Sequence, residues 1–168
     1  MMNYQKIRSL IEENSDIVNF SEFGEGVQKS WIDKAQNILG LAFPPSYIWW
    51  LENFKGGDID GDEVFSVYER EFSTFKGGDI IYMYDPNRTG SLLSLGRLYI
   101  LINDFGEGYY FALDQMGERG EYPIFEKKSN TRFSNTFSRI PGKTAFGLIP
   151  KYSRDNLKEK VHRDSFFH

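Results

Sequence analysis

The chain has 168 residues, of which 40% are hydrophobic and 17% aromatic, with 24 acidic and 20 basic side chains. This length and apolar content predict a folded domain with its own core and exclude an intrinsically disordered protein. The net charge of −4 lacks the basic excess of a nucleic-acid binder, so we predict no nucleic-acid partner. The absence of cysteine excludes disulfides, thiolate catalysis and cysteine-ligated metals.

The sequence shows no sign of secretion or membrane insertion. The first eight residues are polar and contain no apolar segment of the kind found in signal peptides. No apolar run approaches the roughly 20 residues that a membrane helix needs. We therefore expect a cytoplasmic protein that has no membrane partner.

Three helices are predicted in the first third of the chain. Apolar residues recur at helical spacing in residues 3–14 and again in residues 28–39, where Gly40 follows as a C-cap. Pro45 fits the first turn of a third helix, which residues 56–57 (Gly-Gly) are expected to end. The predicted buried stripe of this helix consists of Tyr47, Trp50, Leu51 and Phe54.

Short aromatic and β-branched runs follow, punctuated by Gly, Asp and Pro, and they predict a meander. The predicted strands are residues 63–69, 97–103, 108–113 and 122–127. Alternation along residues 108–113 should leave a tyrosine exposed on one face. Residues 79–85 fit either a strand or a short helix. One or two helical turns are predicted around Phe133, Phe137 and Ile140, and a charged helix at residues 155–163.

The hexapeptide Phe-Lys-Gly-Gly-Asp-Ile occurs twice, at residues 54–59 and 75–80. Two short copies do not make a solenoid, which needs longer units and at least three of them. We predict that both copies mark chain reversals at which glycine supplies a positive φ.

No catalytic centre is recognisable. The two histidines, His162 and His168, lie within seven residues of the C-terminus, a poor frame for a general base. Metalloprotease, P-loop and nucleophile-elbow motifs are missing. An acid pair for glycoside hydrolysis stays an alternative, because the sequence does not set the distance between two carboxylates. Such a pair could come from Asp104, Glu107, Asp114, Glu118 and Glu121. We predict a protein that is not an enzyme and uses no cofactor or metal.

Residues 58–63 (Asp-Ile-Asp-Gly-Asp-Glu) form an acidic run with three alternatives. Its aspartates fall at positions one, three and five of a calcium loop, and Glu69 falls at position twelve. However, Glu63 stands at position six, where an EF-hand needs glycine. A solvated acidic turn and a contact patch for a basic partner are the other two alternatives.

Two aromatic features lie outside the predicted helical stripe. Trp49 lies beside Asn53, where it either packs under the N-terminal helices or remains an exposed interface anchor. Residues 109–111 (Tyr-Tyr-Phe) could stack on nucleic-acid bases, but no basic groove accompanies them. Filling the core is the better-supported role for these three residues.

The order W-I-x-x-A-x-x-x-L-G-x-x-F-P-P-S-Y-x-W-W-L-x-N-F-x-G-G runs from Trp31 to Gly57. It resembles the opening signature of the SUKH superfamily, specifically its Smi/Knr-type branch and the YobK-like bacterial toxin-immunity proteins. Residues 61–68, 106–111 and 121–124 are similar to later strand segments of that family.

The resemblance covers about residues 31–127. Residues 129–168 depart from it, because the family usually closes with an apolar helix whereas this segment is polar and basic. Pro141 and Pro150 also interrupt it.

The resemblance implies a single SUKH-like α+β domain over residues 1–168, with helices packed around a central, mainly antiparallel sheet. It also implies a non-enzymatic immunity protein that neutralises a cognate bacterial toxin, often a nuclease, by protein–protein contact. The alternative is a cytoplasmic regulatory or scaffold protein of the same family. We predict a partner-binding set of Trp49, Asp58, Asp60, Asp62, Glu63 and Glu107.

Overall fold

The computed structural model describes residues 4–70, 77–85, 87, 92, 96–103, 106–129 and 135–139. Within them the helices are α1 (Tyr4–Glu13), α2 (Lys29–Leu39), α3 (Pro45–Asn53) and α4 (Ile80–Tyr84). The strands are β1 (Val18–Phe20), β2 (Gly57–Ile59), β3 (Asp62–Val64), β4 (Arg97–Ile102), β5 (Gly108–Ala112), β6 (Ile124–Ser129) and β7 (Asn135–Arg139). The predicted α+β class is confirmed.

The strands form two small antiparallel sheets, with the orders β1-β2-β3 and β4-β5-β6-β7. The sheet predicted as central is therefore divided into two parts. The parts meet where the backbone N–H of Phe65, just after β3, donates to the carbonyl of Ile100 in β4 at 2.8 Å. This contact places the end of the first sheet beside the first strand of the second.

The three helices predicted in the first third of the chain lie where their apolar periodicity placed them. Gly40 ends α2 in the left-handed conformation, with φ of 66°. Pro45 begins α3, where its missing N–H costs no helical hydrogen bond. The predicted stripe is confirmed, because Tyr47, Trp50, Leu51 and Phe54 are all buried. The helix ends at Asn53, three residues before the glycine pair.

The core joins α3 to the second sheet through aromatic rings. Tyr47 stacks on Trp50, with ring centroids 5.9 Å apart, and lies 6.2 Å from the ring of Phe111 in β5. Trp50 and Phe111 are fully buried. Because burying one such side chain contributes about 1.5–3 kcal/mol, this contact is a large part of what holds α3 on the sheet.

The predicted exposed tyrosine on β5 is wrong, since every residue of that strand is buried. β5 lies between β4 and β6, so neither edge faces solvent. Its outer face is covered as well: Tyr110 stacks on Phe125 at 5.8 Å, and the Arg97 guanidinium lies 5.2 Å from the Tyr110 ring centre. Core filling is therefore the role of residues 109–111.

Three elements differ from the expectations. The strand predicted over residues 63–69 ends at Val64, after which the chain pairs with a different segment. The ambiguous residues 79–85 contain the short helix α4. The helical turns predicted near Phe137 are wrong, because β7 pairs with β6 there. The helix predicted at residues 155–163 lies outside the described residues.

Candidate partner-binding surface

The acidic run forms a β-hairpin, called here the acidic hairpin (residues 57–64). Strands β2 and β3 are joined by Asp60 and Gly61, with Ile59 opposite Asp62 at the turn. Asp60 and Gly61 have φ of 55° and 86°. A two-residue hairpin with positive φ at both central positions favours an Asp-Gly pair, so this turn follows directly from the sequence.

Two acids of the acidic hairpin form a cross-strand pair. Asp58 lies directly across the ladder from Glu63, and Asn19 of β1 lies on the other side of Asp58. The neighbouring core-side residues Ile59 and Val64 are buried. Like charges placed opposite each other on a sheet are destabilising, so this pair keeps a negative field at some cost to stability.

The Asp58 carboxylate is held by local hydrogen bonds. One oxygen accepts from the Asn19 side-chain amide at 3.2 Å, and the other accepts from the Gly61 backbone N–H at 3.1 Å. Both donors are neutral, so they orient the carboxylate and leave its charge uncompensated. Asp58 is half-buried and Asp60, at the tip, is exposed.

Glu63 points toward a different part of the molecule. Its carboxylate accepts the Tyr68 hydroxyl at 2.9 Å and the Gly78 backbone N–H at 3.1 Å. Burial, together with the hydrogen bond to Glu63 and its charge, raises the pKa of Tyr68 to about 12. Tyr68 therefore stays a neutral donor, and Glu63 has a structural role in addition to its charge.

The tip of the acidic hairpin touches a segment that the sequence analysis did not include. The Asp60 backbone N–H donates to the Ile17 carbonyl at 2.6 Å, which brings the turn between α1 and β1 alongside. Asp16, the preceding residue, is exposed and extends the acidic surface. Only the pairing of the three-residue strand β1 with β2 creates this neighbourhood, and β1 has no clear sequence signal.

Asp62 and Glu107 complete the predicted acids. Asp62 is half-buried and lies opposite Ile59 in the pairing of β2 with β3. Glu107 lies in the turn between β4 and β5, so it belongs to the second sheet. Its backbone N–H donates to the Asn103 side chain at 3.0 Å. The structure thus gathers four of the predicted acids in one hairpin and places Glu107 on a separate element.

Trp49 packs against the N-terminal helix α1, which is the first of its two predicted alternatives. Its ring is half-buried and stacks on Tyr4 of α1, with centroids 4.7 Å apart and planes 14° from parallel. The Phe54 ring meets it edge-on at 6.2 Å. Two sides of the indole are therefore covered by the protein itself. Any contact of Trp49 with a partner stays a prediction.

Asp79 is a buried carboxylate that the sequence analysis did not single out. It is inaccessible to solvent and accepts backbone N–H groups from Tyr68, Ile81 and Tyr82 at 2.9, 2.9 and 3.0 Å. It thereby caps α4 and fixes Tyr68 beside the acidic hairpin. An aspartate directly before a short apolar run is an N-cap signal that could have identified it.

The calcium-loop geometry is not formed. Glu69, the residue for position twelve, accepts the Gln28 backbone N–H at 2.7 Å at the start of α2. In the described part of the chain, no group of three His, Asp or Glu side chains is arranged to hold a metal ion. His162 and His168 lie outside the described residues.

The fold and this surface define a class of protein, an α+β domain whose first sheet contains an acidic hairpin. Residues 29–139 match the family SUKH_6, described as SMI1-KNR4 cell-wall. The chain therefore belongs to the SUKH superfamily. No curated protein matches it. Among the described residues, no helix has the length and apolar character needed to cross a membrane.

Proposed function

We propose that this protein is a non-enzymatic immunity protein that binds and neutralises a cognate bacterial toxin in the cytoplasm. The observation that carries the proposal is the acidic hairpin, which presents Asp58 on strand β2 and Asp60 on the two-residue turn. Membership of the SUKH superfamily supports an immunity-type or regulatory binding role. The expected partner is a nuclease domain, because an enzyme that acts on nucleic acid presents a basic cleft.

The acidic hairpin suits this role through its charge and its rigidity. Fixed negative charges accelerate the encounter with a basic protein and suppress neutral or acidic partners. Here Asp58 is fixed by Asn19 and Gly61, and the tip is fixed by the bond from Asp60 to Ile17. Little side-chain or loop ordering would remain to oppose association.

The description of the matched family supports a second candidate, a regulatory or scaffold protein related to SMI1-KNR4 proteins. Such a protein would bind a constitutive cellular partner, and its gene would not need a toxin gene beside it. Both roles use protein–protein contact without catalysis, so the identity of the partner separates them.

The deciding experiment is co-expression of this chain with the toxic C-terminal domain encoded beside its gene. We expect growth to be rescued and a stable one-to-one complex to elute from a sizing column. If growth is not rescued and no complex forms, the immunity proposal loses its support, and the scaffold candidate replaces it.

A double variant that neutralises two acids then tests the surface. Asp58→Asn with Asp60→Asn removes two charges, because asparagine can still accept the Gly61 N–H and tolerates the positive φ at position 60. We expect the association rate at low salt to fall by roughly threefold to tenfold, with a weaker salt dependence.

The matched control is Glu52→Gln with Asp114→Asn. These acids are exposed on α3 and after β5, and the control changes the net charge by the same amount. An equal loss of association rate in both double variants would show that only the overall charge matters. It would remove the acidic hairpin from the interface.

A further inference from the structure

An open groove with a volume of about 390 Å³ lies beside the acidic hairpin. The described residues that line it are Lys55, Val67, Tyr68, Glu69 and Arg70. Tyr68 connects the two features, since it lines the groove while its hydroxyl donates to Glu63 of the hairpin at 2.9 Å. The groove and the hairpin are therefore two parts of one surface.

The one acid among the described residues that line the groove is already engaged. Glu69 accepts the Gln28 backbone N–H at 2.7 Å, at the positive end of the α2 helix dipole. The amino group of Lys55 lies 3.9 Å from the same carboxylate, and the lysine side chain is 58% exposed. An exposed ion pair at that distance contributes little, so Lys55 can exchange this partner for another acceptor.

Arg70 supplies the second cation. Its side chain is exposed, and its charge partly offsets the rise in Tyr68 pKa caused by burial and by Glu63. The guanidinium therefore acts on the same phenol that forms a wall of the groove. The described lining of the groove therefore combines two cations, one committed acid and the buried, apolar Val67.

We propose that this groove binds a carboxylate, that of an aspartate or glutamate on the partner protein, between Lys55 and Arg70. The choice of a protein partner rests on the proposed function. The surface then recognises a pair of opposite charges, a cation against the acidic hairpin and an anion in the groove.

This arrangement adds specificity that the acidic hairpin alone does not provide. A uniformly basic partner would cover Lys55 and Arg70 without offering an acceptor, and it would bring like charges together. Like charges brought together in this way cost free energy and so disfavour the wrong partner. A guanidinium is also suited to a carboxylate, which it can bind through two parallel hydrogen bonds.

The first test needs no partner and uses sodium acetate as the probe. In a two-dimensional amide NMR titration of the full chain, we expect saturable shifts at Lys55 and at residues 67–70. These shifts should vanish in Lys55→Gln with Arg70→Gln. They should persist in Lys128→Gln with Arg139→Gln, which removes two exposed cations from the second sheet. Absent shifts, or shifts unchanged in the groove variant, would overturn the proposal.

Inorganic phosphate provides the competing arm of the same titration. Carboxylate recognition predicts that phosphate shifts these amides no more strongly than acetate does at equal ionic strength. Saturation by phosphate at a tenfold lower concentration than acetate would overturn the proposal in favour of a phosphate site.

The second test measures the complex with the toxin domain. The groove variant should bind at least tenfold more weakly than the wild type, while the Lys128 and Arg139 control binds as the wild type does. Wild-type affinity in the groove variant would overturn the role of the groove in the interface. If the wild type does not bind the toxin, the proposed function fails, and the acetate titration still decides whether the groove takes a carboxylate.

Discussion

The two copies of Phe-Lys-Gly-Gly-Asp-Ile have the same sequence and different structures. In residues 54–59, the segment Gly57–Ile59 is strand β2 of the acidic hairpin. In residues 75–80, of which 77–80 are described, the aspartate is the N-cap of helix α4. Three of the four glycines have positive φ, at 155° and 143° for Gly56 and Gly57 and at 77° for Gly77, whereas Gly78 does not. The positive φ predicted from the sequence is confirmed at Gly56, Gly57 and Gly77 and is wrong at Gly78, and the structures that follow differ.

Both copies contact the same residue from different sides. Ser66 donates its hydroxyl to the Lys55 carbonyl at 2.5 Å, next to the first glycine pair. Its backbone N–H donates to the Gly78 carbonyl, and its carbonyl accepts from Ile80, both at 2.8 Å. The hexapeptide therefore has no strong preference of its own. Its neighbours decide whether it continues as a strand or as a helix.

The largest difference between the copies should appear at their aspartates. Asp79→Ala leaves three N–H donors without an acceptor, one buried and two part-buried, and a fully buried loss costs about 1–3 kcal/mol. Allowing for relaxation, we expect a loss of about 4 kcal/mol in the free energy of unfolding, measured by urea denaturation. Asp58→Ala should cost less than about 1 kcal/mol, because its donors are near solvent and its removal relieves the repulsion with Glu63.

Asp79→Asn is the internal control, since it keeps one acceptor oxygen in a side chain of the same shape. Its cost should lie between those of the two alanine variants. Similar losses in Asp79→Ala and Asp58→Ala would mean that the two copies are equally important to stability. The expectation that the buried Asp79 contributes more to stability than Asp58 would then be wrong.

The second glycine of each copy gives the next largest effect. A Cβ at Gly57 would lie 2.2 Å from the Asn19 carbonyl oxygen, so Gly57→Ala must displace strand β1. A Cβ at Gly78 would lie 1.9 Å from a Glu63 carboxylate oxygen, which is the movable end of a side chain. We expect losses of about 3 kcal/mol for Gly57→Ala and about 1–2 kcal/mol for Gly78→Ala, by urea denaturation.

A second substitution, at Glu63, checks the cause of the clash at Gly78. If Glu63 is what obstructs Gly78→Ala, then adding Glu63→Ala should recover part of the loss, whereas it should not recover Gly57→Ala. Equal costs for the two glycine variants, without any recovery, would show that the side chain of Glu63 is not what obstructs Gly78→Ala.

Local signals were enough to predict much of the fold. The stripe on α3 and the Gly40 cap each depend on residues a few positions apart. The short strands β1 and β2 were not predicted, because three residues carry little periodicity and their pairing joins segments about forty positions apart. The turn predicted near Phe137 failed for the same reason, since the partner strand β6 decides its conformation.

The candidate surface was predictable to a similar extent. The acids at 58–63 were visible because they are consecutive, and the hairpin keeps them together. Trp49 could not be assigned, because its position depends on Tyr4, which is distant in the sequence. The groove between Lys55 and Arg70 was also missed, since its walls come from segments that become neighbours only after folding.

The smallest expected effect is the pH dependence of the Asp79 contribution. Burial raises the pKa of Asp79 above its ordinary value, against the lowering by its three N–H donors. The folded state therefore holds the proton to a higher pH than the unfolded state does. The stability from this group is fully present below the unfolded pKa, near 4, and is lost as pH rises through the folded pKa.

Comparison with Asp79→Asn isolates this contribution. Burial also raises the pKa of Glu121, against the lowering by its hydrogen bonds from Ser46, but Glu121 is present in both proteins. We expect the free energy of unfolding of the wild type, relative to Asp79→Asn, to decrease by less than about 1 kcal/mol between pH 4 and pH 7. Urea denaturation at several pH values measures it. An increase over that range would mean that the three N–H donors favour the charged carboxylate more than burial disfavours it. Asp79 would then resemble a charged cap, and the contrast with Asp58 would lie in burial alone.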